Sequence, residues 1–242
     1  MIDVLGGTPE AAWRADDRLA DLPPLDWGAP PGRVVVVSPH PDDEVLGAGG
    51  TMRLLAGRGF DVELVAVTDG EGSHPGSTAV SPAELAARRP AETAEAFARL
   101  GVRLLAQHRL QIPDGGIAAR VDELAQRLAP IVEKAVWVLG IWRHDGHPDH
   151  EAVGAAVAAT GARLAEYPVW LWNWAAPGED ATVPWAQARR VDLDPVTRAA
   201  KAAAIAAHTS QLQRHGPAPE DGPILPEPVL AHFRRPYEVL FT

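Results

Sequence analysis

The sequence predicts an α/β fold, a single Rossmann-like domain with a mostly parallel central sheet flanked by helices. Short apolar or β-branched runs alternate with longer segments whose apolar residues recur at helical spacing, which is typical of βαβ units. The 242 residues suit one large domain better than two small ones. Because 46% of the residues are hydrophobic and 22% are charged, the chain can bury a full core.

The first elements follow from local patterns. Residues 33–37 form a continuous β-branched run, which indicates a strand covered on both faces. Residues 44–55 are apolar at helical spacing and end near Gly57, a plausible helix stop. Residues 61–68 predict the next strand. We expect right-handed crossovers between these parallel strands.

The middle of the chain continues the alternation. Ser81, Pro82 and Glu84 have the form of a capping box with proline at the first helical position, so a helix should begin there. Pro90 is expected to kink or restart that helix. Three further segments are predicted as a strand, a helix and a strand, respectively: residues 103–112, 117–128 and 135–142.

The last third predicts an Ala-rich helix at 151–165, strands at 169–174 and 188–193, and a helix at 195–208. The Pro-rich tail should wrap the body and end in a strand-like segment. Trp170, Trp172 and Trp174 alternate, so in a strand they would share one face. Packing in the core is the favoured interpretation of this face, and a stacking platform for a sugar is the alternative.

The domain organisation is expected to be a lead-in at 1–32 packed on the domain, followed by one metal-dependent domain at 33–242. The lead-in is Pro-rich and would pack through Trp13 and Trp27. It has no basic start followed by a long apolar run, so no signal peptide is expected. No stretch reaches the length of a membrane span. We therefore expect a cytoplasmic protein with no membrane partner.

Composition excludes several kinds of site. The formal net charge of −10 argues against a nucleic-acid partner, which needs a basic face. There are no cysteines, which excludes disulfides, thiolate nucleophiles and cysteine-ligated zinc. Any metal must therefore bind to histidine or carboxylate side chains.

Two segments carry residues suited to chemistry, and each directly follows a predicted strand. Residues 38–44 include His40 and Asp43, and residues 144–150 include His147 and His150. Ligands of open α/β sheets bind beyond the carboxyl ends of the strands, so the two segments can converge. Catalytic zinc sites use three ligands from histidine and carboxylate and leave one position for water. The sequence therefore favours a metal site.

A capping role is the alternative for these residues. Asp42 or Asp43 could cap the helix after the first strand, and His147 and Asp149 could cap the later one. Capping explains one acid, but it does not explain two clusters of histidine and acid at two strand ends. The metal interpretation is therefore the stronger one.

The two motifs also resemble a known family. Residues 39–44 (Pro-His-Pro-Asp-Asp-Glu) with residues 147–150 (His-Pro-Asp-His) are similar to the PIG-L / LmbE-like family of zinc-dependent N-acetylglucosaminyl deacetylases. The helix from Arg89 to Glu92, the loop at 113–116 and the segment from Lys201 to Gln211 support the resemblance. The likeness covers about residues 33–215.

The resemblance implies roles for individual residues. It makes His40, Asp43 and His150 the ligands of one divalent ion, most simply Zn2+, with Fe2+ or Mn2+ as alternatives that the same ligands accept. It makes Asp42 the general base. His147, as an imidazolium, would face the developing oxyanion, and Asp149 would orient its ring.

The resemblance also suggests residues around this centre. Arg89 and Asp114 are expected to contact substrate. Glu44 and His208 are expected behind the ligands or at the pocket rim.

The expected function is hydrolysis of an N-acetyl or other N-acyl group on a small amino-sugar-containing molecule, through a metal-bound water. One alternative is an amidase that acts on a larger acyl group or a thiol conjugate. Another is a non-catalytic binding or scaffold protein of the same fold. The sequence leaves the oligomeric state open, a homo-oligomer included.

Overall fold

One sheet organises the part of the chain that the computed structural model describes, which is residues 6–28, 30–178 and 182–242. Seven strands of these residues pair in the order β3-β2-β1-β4-β5-β7-β6. The strands are β1 (Arg33–Ser38), β2 (Asp61–Ala66), β3 (Leu104–Arg109), β4 (Trp137–Ile141), β5 (Leu164–Tyr167), β6 (Ala188–Asp192) and β7 (Tyr237–Phe241).

The sheet is parallel over its first five strands. β1 pairs with β2 and β4, β2 with β3, and β4 with β5, all in parallel. β7 lies between β5 and β6 and is antiparallel to both, so the sheet is mixed on this side. The four valines at the centre of β1 are fully buried, as expected for a strand covered on both faces. The predicted fold class is confirmed.

The strand order places the two chemical segments together. The chain builds the sheet outward from β1 through β2 and β3, and then returns to β4 on the other side of β1. This reversal opens a crevice at the carboxyl ends of β1 and β4. Residues 38–44 and 144–150 leave those two strands into that crevice.

Helices cover both faces of the sheet. The longer ones are α3 (Asp43–Gly57), α4 (Pro82–Leu100), α5 (Val121–Val132), α6 (Pro148–Ala159) and α8 (Pro195–Ile205). The shorter ones are α1 (Glu10–Arg14), α2 (Asp17–Asp21), α7 (Leu171–Trp174), α9 (Thr209–Leu212) and α10 (Glu227–Leu230). Four 3-10 turns among the described residues are Ile117–Arg120, Trp185–Gln187, Pro219–Asp221 and Ala231–Arg234.

α3 begins immediately after the first motif and is the most deeply buried of these helices. A Cβ at Gly47 would overlap the Tyr167 ring, and a Cβ at Gly50 would lie 2.5 Å from the Leu193 side chain. Glycine at these two positions therefore lets the helix approach β5 and the start of α8. The close approach fixes the start of α3, and with it Asp43, against the sheet.

The lead-in packs on the domain through its two tryptophans. Trp13 is fully buried and its indole Nε1–H donates to the Trp172 carbonyl at 2.8 Å. Trp27 is buried edge-to-face against Trp137, with ring centroids 5.3 Å apart. Residues 1–5 and 29 of the lead-in lie outside the described residues, and the boundary at residue 32 stays a prediction.

Several local predictions are confirmed. The Ser81 capping box is present, because the Ser81 hydroxyl accepts from the Glu84 N–H and the Glu84 carboxylate accepts from the Ser81 N–H. The terminal strand-like segment is β7. α4 runs through Pro90 as one helix, so the predicted restart there is wrong.

Two predictions after β4 are wrong. The Ala-rich helix ends at Ala159 instead of residue 165, because Gly161 adopts a positive φ of 70° and the chain turns into β5. Residues 169–174 are not a strand, since Leu171–Trp174 form the short helix α7. Trp170, Trp172 and Trp174 therefore do not share a strand face. Among the described residues, no helix is both long and apolar enough to span a membrane.

Candidate active site

Three side chains meet at the crevice between β1 and β4. His40 Nδ1 lies 3.2 Å from Asp43 Oδ2 and 3.3 Å from His150 Nε2, and the last two atoms are 3.3 Å apart. Residues 110 positions apart in the chain thus present three donor atoms at the corners of a nearly equilateral triangle. This group could hold a metal ion.

The triangle matches the size of a zinc-type coordination shell. Zinc–nitrogen and zinc–oxygen bonds of about 2.0–2.2 Å with tetrahedral angles place the ligand atoms roughly 3.3–3.6 Å apart. The Asp43 carboxylate is also fixed, because its Oδ2 accepts from the His40 backbone N–H at 3.0 Å. The donor set of two imidazoles and one carboxylate suits zinc and also accepts iron or manganese.

Each ligand imidazole has a carboxylate at its other nitrogen. His150 Nδ1 lies 2.8 Å from Asp145 Oδ2. His40 Nε2 lies 3.1 Å from Asp114 Oδ1 and 3.3 Å from Asp149 Oδ2. Carboxylates in these positions keep a proton on the outer nitrogen, so the inner nitrogen offers its lone pair to a cation.

A second set of donor atoms lies on the other side of His40. His40 Nε2, Asp114 and Asp149 are also close enough to surround an ion. The first group is the better metal site for two reasons. It contains two histidines. A metal there leaves the outer ring nitrogens of His40 and His150 next to carboxylates, whereas a metal at the second group would bind Asp114 and Asp149, the carboxylates that otherwise support His40.

Asp42 lies beside the triangle in a strained backbone conformation. Its φ is 136°, a value that side-chain-bearing residues rarely adopt, and such strain is concentrated at functional sites. Its side chain does not cap α3, so the capping alternative is wrong for Asp42. Instead Asp42 Oδ2 accepts from Arg89 at 3.2 Å and the Asp42 N–H faces Glu44 Oε2 at 3.3 Å.

The pKa values of the adjacent residues Asp42 and Asp43 are shifted in opposite directions. Burial raises the pKa of Asp42, Arg89 opposes this, and the Asp43 charge raises it further, to about 8. The pKa of Asp43 is lowered well below its usual range, because the charge and hydrogen bonds of His150 and His40 outweigh the effect of burial. Asp42 is therefore suited to accept a proton, whereas Asp43 is suited to stay charged as a ligand.

His147 is held as a neutral ring. Its Nδ1 accepts from the Asp149 backbone N–H at 3.2 Å at the start of α6, so the ring proton is on Nε2. Burial and the charges of His150 and His40 lower the pKa of His147 to about 4. The capping alternative is therefore correct for His147, whereas the imidazolium expected during the reaction stays a prediction.

The Asp149 side chain does not orient His147. Its Oδ2 accepts from the Gly115 N–H at 2.7 Å and lies 3.3 Å from His40 Nε2, and its Oδ1 accepts from the Ile117 N–H at 3.4 Å. This correction follows from α6, whose first turn directs the carboxylate toward the loop after β3. Asp149 supports a ligand instead.

A pocket of about 490 Å³ opens over these residues. Asp114 and Arg89 both line it, but each also has an internal partner. Asp114 Oδ2 accepts from the Gly72 N–H at 2.9 Å, and Arg89 donates to the Gly70 and Pro41 carbonyls, both at 2.7 Å. Direct contact of either residue with substrate stays a prediction.

Glu44 and His208 lie behind the site. Glu44 is fully buried, its Oε2 is 2.6 Å from Ser38 Oγ, and burial raises its pKa to about 7. His208 is also buried, and burial together with the nearby Arg89 charge lowers its pKa to about 4. The burial of His208 favours the position behind the ligands over one at the pocket rim.

Sequence reasoning missed the role of Asp145. This carboxylate is fully buried and accepts from His150 and from three consecutive backbone N–H groups at residues 169–171. Its position between the fourth strand and the His147 motif was the available signal. Its partners 24 to 26 residues later could not be read from the pattern.

The sequence is similar to a known family and to enzymes of that family. Residues 35–160, just over half of the chain, match the PIG-L family model, which describes GlcNAc-PI de-N-acetylase. The 1D-myo-inositol 2-acetamido-2-deoxy-α-D-glucopyranoside deacetylase of Streptomyces avermitilis is 32% identical over 214 residues, covering 73% of this chain and 71% of that protein. The diacetylchitobiose deacetylase of Thermococcus kodakarensis is 34% identical over 128 residues, which are 50% of this chain and 46% of that enzyme. The chain thus spans about half the length of the latter relative.

A solved structure agrees with these matches. The N,N'-diacetylchitobiose deacetylase of Pyrococcus horikoshii superposes with a TM-score of 0.60 at 25% identity, covering 84% of this chain and 80% of that one. The family match at residues 35–160 includes both motifs that build the site. The chain belongs to the PIG-L (GlcNAc-PI de-N-acetylase) family.

Proposed function

We propose that this chain is a metal-dependent hydrolase that removes an N-acetyl group from a small molecule containing an amino sugar. The observation that carries the proposal is the triangle of His40 Nδ1, Asp43 Oδ2 and His150 Nε2 beside the strained Asp42. The relatives named above are deacetylases of amino-sugar compounds, which supports this substrate class.

The three ligands would hold one divalent ion, most simply zinc. When bound there, the ion would lower the pKa of water and polarise the amide carbonyl. Asp42 has the raised pKa of a group that can accept a proton and later release it near neutral pH. We assign to Asp42 the removal of a proton from the attacking water and its delivery to the leaving nitrogen.

His147 serves a separate purpose in this proposal. Its Nε2–H has no hydrogen-bond partner among the residues that the structure describes, and it would stabilise the negative charge that develops on the amide oxygen. Arg89 holds the Asp42 carboxylate in place through its contact at 3.2 Å. Arg89 and Asp114 are also the polar pocket residues from which we expect contacts with sugar hydroxyls.

A second candidate is hydrolysis of a larger N-acyl group at the same site. It is favoured by the apolar side of the pocket, whose larger side chains include those of Leu46, Val169, Trp170, Ile224 and Leu225. Such a wall could cover an acyl chain longer than acetyl by burying apolar area. The two candidates share every catalytic residue and differ only in the preferred substrate.

An amine-release assay tests both candidates. N-acetylated amino sugars and their N-butanoyl and N-octanoyl homologues are incubated with zinc-loaded protein, with and without chelator. We expect chelator-sensitive release that is fastest for the acetyl compound, and faster release from the octanoyl homologue would favour the second candidate. A chain that binds no divalent ion and stays inactive when zinc is restored would instead be a non-catalytic protein of this fold.

A further inference from the structure

The Asp145 carboxylate joins two parts of the candidate site. Its Oδ2 lies 2.8 Å from His150 Nδ1 and accepts from the Trp170 N–H at 2.9 Å. Its Oδ1 accepts from the N–H groups of Val169 at 2.9 Å and Leu171 at 3.0 Å. A carboxylate accepts about four hydrogen bonds, so all of its capacity is used.

The backbone of Asp145 is held as well. The Trp174 indole Nε1–H donates to the Asp145 carbonyl at 2.8 Å, from the far end of α7. Asp145 is therefore clamped to the segment at 169–174 through both its side chain and its main chain. We call residues 169–171 the wall segment, because Val169 and Trp170 line the pocket.

We propose that Asp145 is a positioning residue that couples metal binding at His150 to the order of the wall segment. The inference rests on the metal site of the proposed function. A cation at Nε2 polarises the His150 ring and strengthens the hydrogen bond from Nδ1–H to the carboxylate, as charge-assisted bonds are stronger. The same carboxylate then holds the three wall N–H groups in one arrangement. Because coupling between two sites is reciprocal, an ordered wall also favours the bound ion.

Asp145→Asn separates this proposal from simple packing, because it keeps the size of the side chain. An amide has one oxygen and one NH2 group, and the NH2 group cannot accept. Facing His150 and Trp170, it would drive the ring proton to Nε2 and remove the lone pair needed by the ion. Facing Val169 and Leu171, it would release the wall segment. Either orientation breaks at least one of the two connections.

The experiment uses the full chain, stripped of metal and reloaded with zinc sulfate. Zinc affinity is measured by competition with a chromophoric chelator, and amide hydrogen exchange of residues 169–174 is measured with and without saturating zinc. In the wild type we expect zinc to slow exchange of the wall amides about tenfold. In Asp145→Asn we expect zinc affinity to fall roughly 10–100-fold and the zinc effect on exchange to disappear. The matched control, Asp194→Asn, changes an aspartate that caps α8 and should retain both properties.

Two results would overturn the coupling. One is wild-type wall exchange that does not respond to bound zinc, a comparison that needs no variant to fold. The other is an Asp145→Asn protein whose zinc affinity and exchange response equal those of the wild type. Failure of the proposed function looks different: zinc binds and slows wall exchange, but no amine is released from any N-acyl sugar.

Discussion

Two buried clusters of charged side chains in this molecule differ in how their charges are balanced. The site cluster comprises Asp42, Asp43, Glu44, Asp114, Asp145 and Asp149 with Arg89 and three imidazoles, those of His40, His147 and His150. The anchor cluster comprises Glu10 of the lead-in with His232 and Arg235 of the tail. Both are largely removed from solvent.

The anchor cluster is neutralised from within. Arg235 donates to Glu10 Oε2 at 2.6 Å, and His232 Nδ1 lies 2.9 Å from the same oxygen. Arg235 also lies over the Trp172 ring, with its guanidinium carbon 4.0 Å from the centroid. Arg14 Nε also donates to Glu10 Oε1 at 3.1 Å. One carboxylate thus meets two permanent cations and a histidine, and the group ties the lead-in to the tail.

The site cluster is not neutralised in this way. Six carboxylates share one arginine, and the triangle of ligand atoms concentrates an aspartate and two imidazole lone pairs at one point. Burying charge is costly unless a partner compensates it. The buried charges of the anchor cluster are balanced and serve the structure. The buried charges of the site cluster are unbalanced and mark the place where a cation belongs.

The largest expected effect is a loss of kcat when the Asp42 carboxylate of the site cluster is replaced by an amide and the metal ligands are left unchanged. Asp42→Asn should retain zinc and lose about 10²–10⁴ in kcat, the usual contribution of a general base. Amine release under saturating substrate measures kcat, and metal analysis measures zinc. Asp194→Asn, which alters an aspartate outside both clusters, should keep full turnover. Unchanged kcat in Asp42→Asn would remove this residue from the mechanism.

The next effect concerns the anchor cluster and should appear in stability alone. Glu10→Gln leaves Arg235 without its charged partner, and breaking a buried ion pair costs about 3 kcal/mol. Urea unfolding of metal-free protein measures the loss, while kcat of the folded variant should remain within about twofold of the wild type. A tenfold loss of kcat in fully folded Glu10→Gln would show that the two clusters are not independent.

Zinc should stabilise the site cluster selectively. At a free concentration of 100 times Kd, a ligand that binds only the native state adds about 2.7 kcal/mol, or roughly 5–10 °C in Tm for a chain of this size. The shift should be equal in the wild type and in Glu10→Gln, and it should vanish in His150→Ala. Thermal melts with and without zinc measure it. A full shift in His150→Ala would place the ion elsewhere.

The smallest effect is the acid sensitivity of the anchor. Burial raises the pKa of Glu10, but the hydrogen bonds from His232 and Arg235 outweigh it and lower the pKa to about 2. Because the native pKa is depressed, this stabilisation is fully present above the ordinary value of 4.5 and is lost as pH falls toward 2. The stability difference between the wild type and Glu10→Gln should be constant from pH 7 to 5.5 and shrink by pH 3. Urea unfolding of metal-free protein at these three values provides the check, and a difference that persists undiminished at pH 3 contradicts it.

The parts of the fold that local pattern determines could be predicted. The valine run of β1, the capping box at Ser81 and the placement of both motifs after strands depend on neighbouring residues. Because parallel strands end at one edge, the meeting of His40 and His150 followed from topology alone. The observed 3.3 Å between their nitrogens agrees with that expectation.

The rest depended on contacts between distant segments. Alternating tryptophans at 170–174 indicated a strand, but Asp145 gathers three successive N–H groups there and imposes a helical turn. The sequence also did not show which histidine each of Asp145 and Asp149 supports, because both carboxylates lie near histidines in the sequence. Only the three-dimensional positions show that Asp145 supports His150 and that Asp149 supports His40.

The central claim is that one ion binds at the triangle of His40 Nδ1, Asp43 Oδ2 and His150 Nε2. A crystal grown with zinc and measured at the zinc absorption edge locates the ion directly by its anomalous scattering. We predict one strong peak about 2.0–2.2 Å from each of these three atoms. A peak between His40 Nε2, Asp114 and Asp149 instead, or no peak at either group, would contradict the claim.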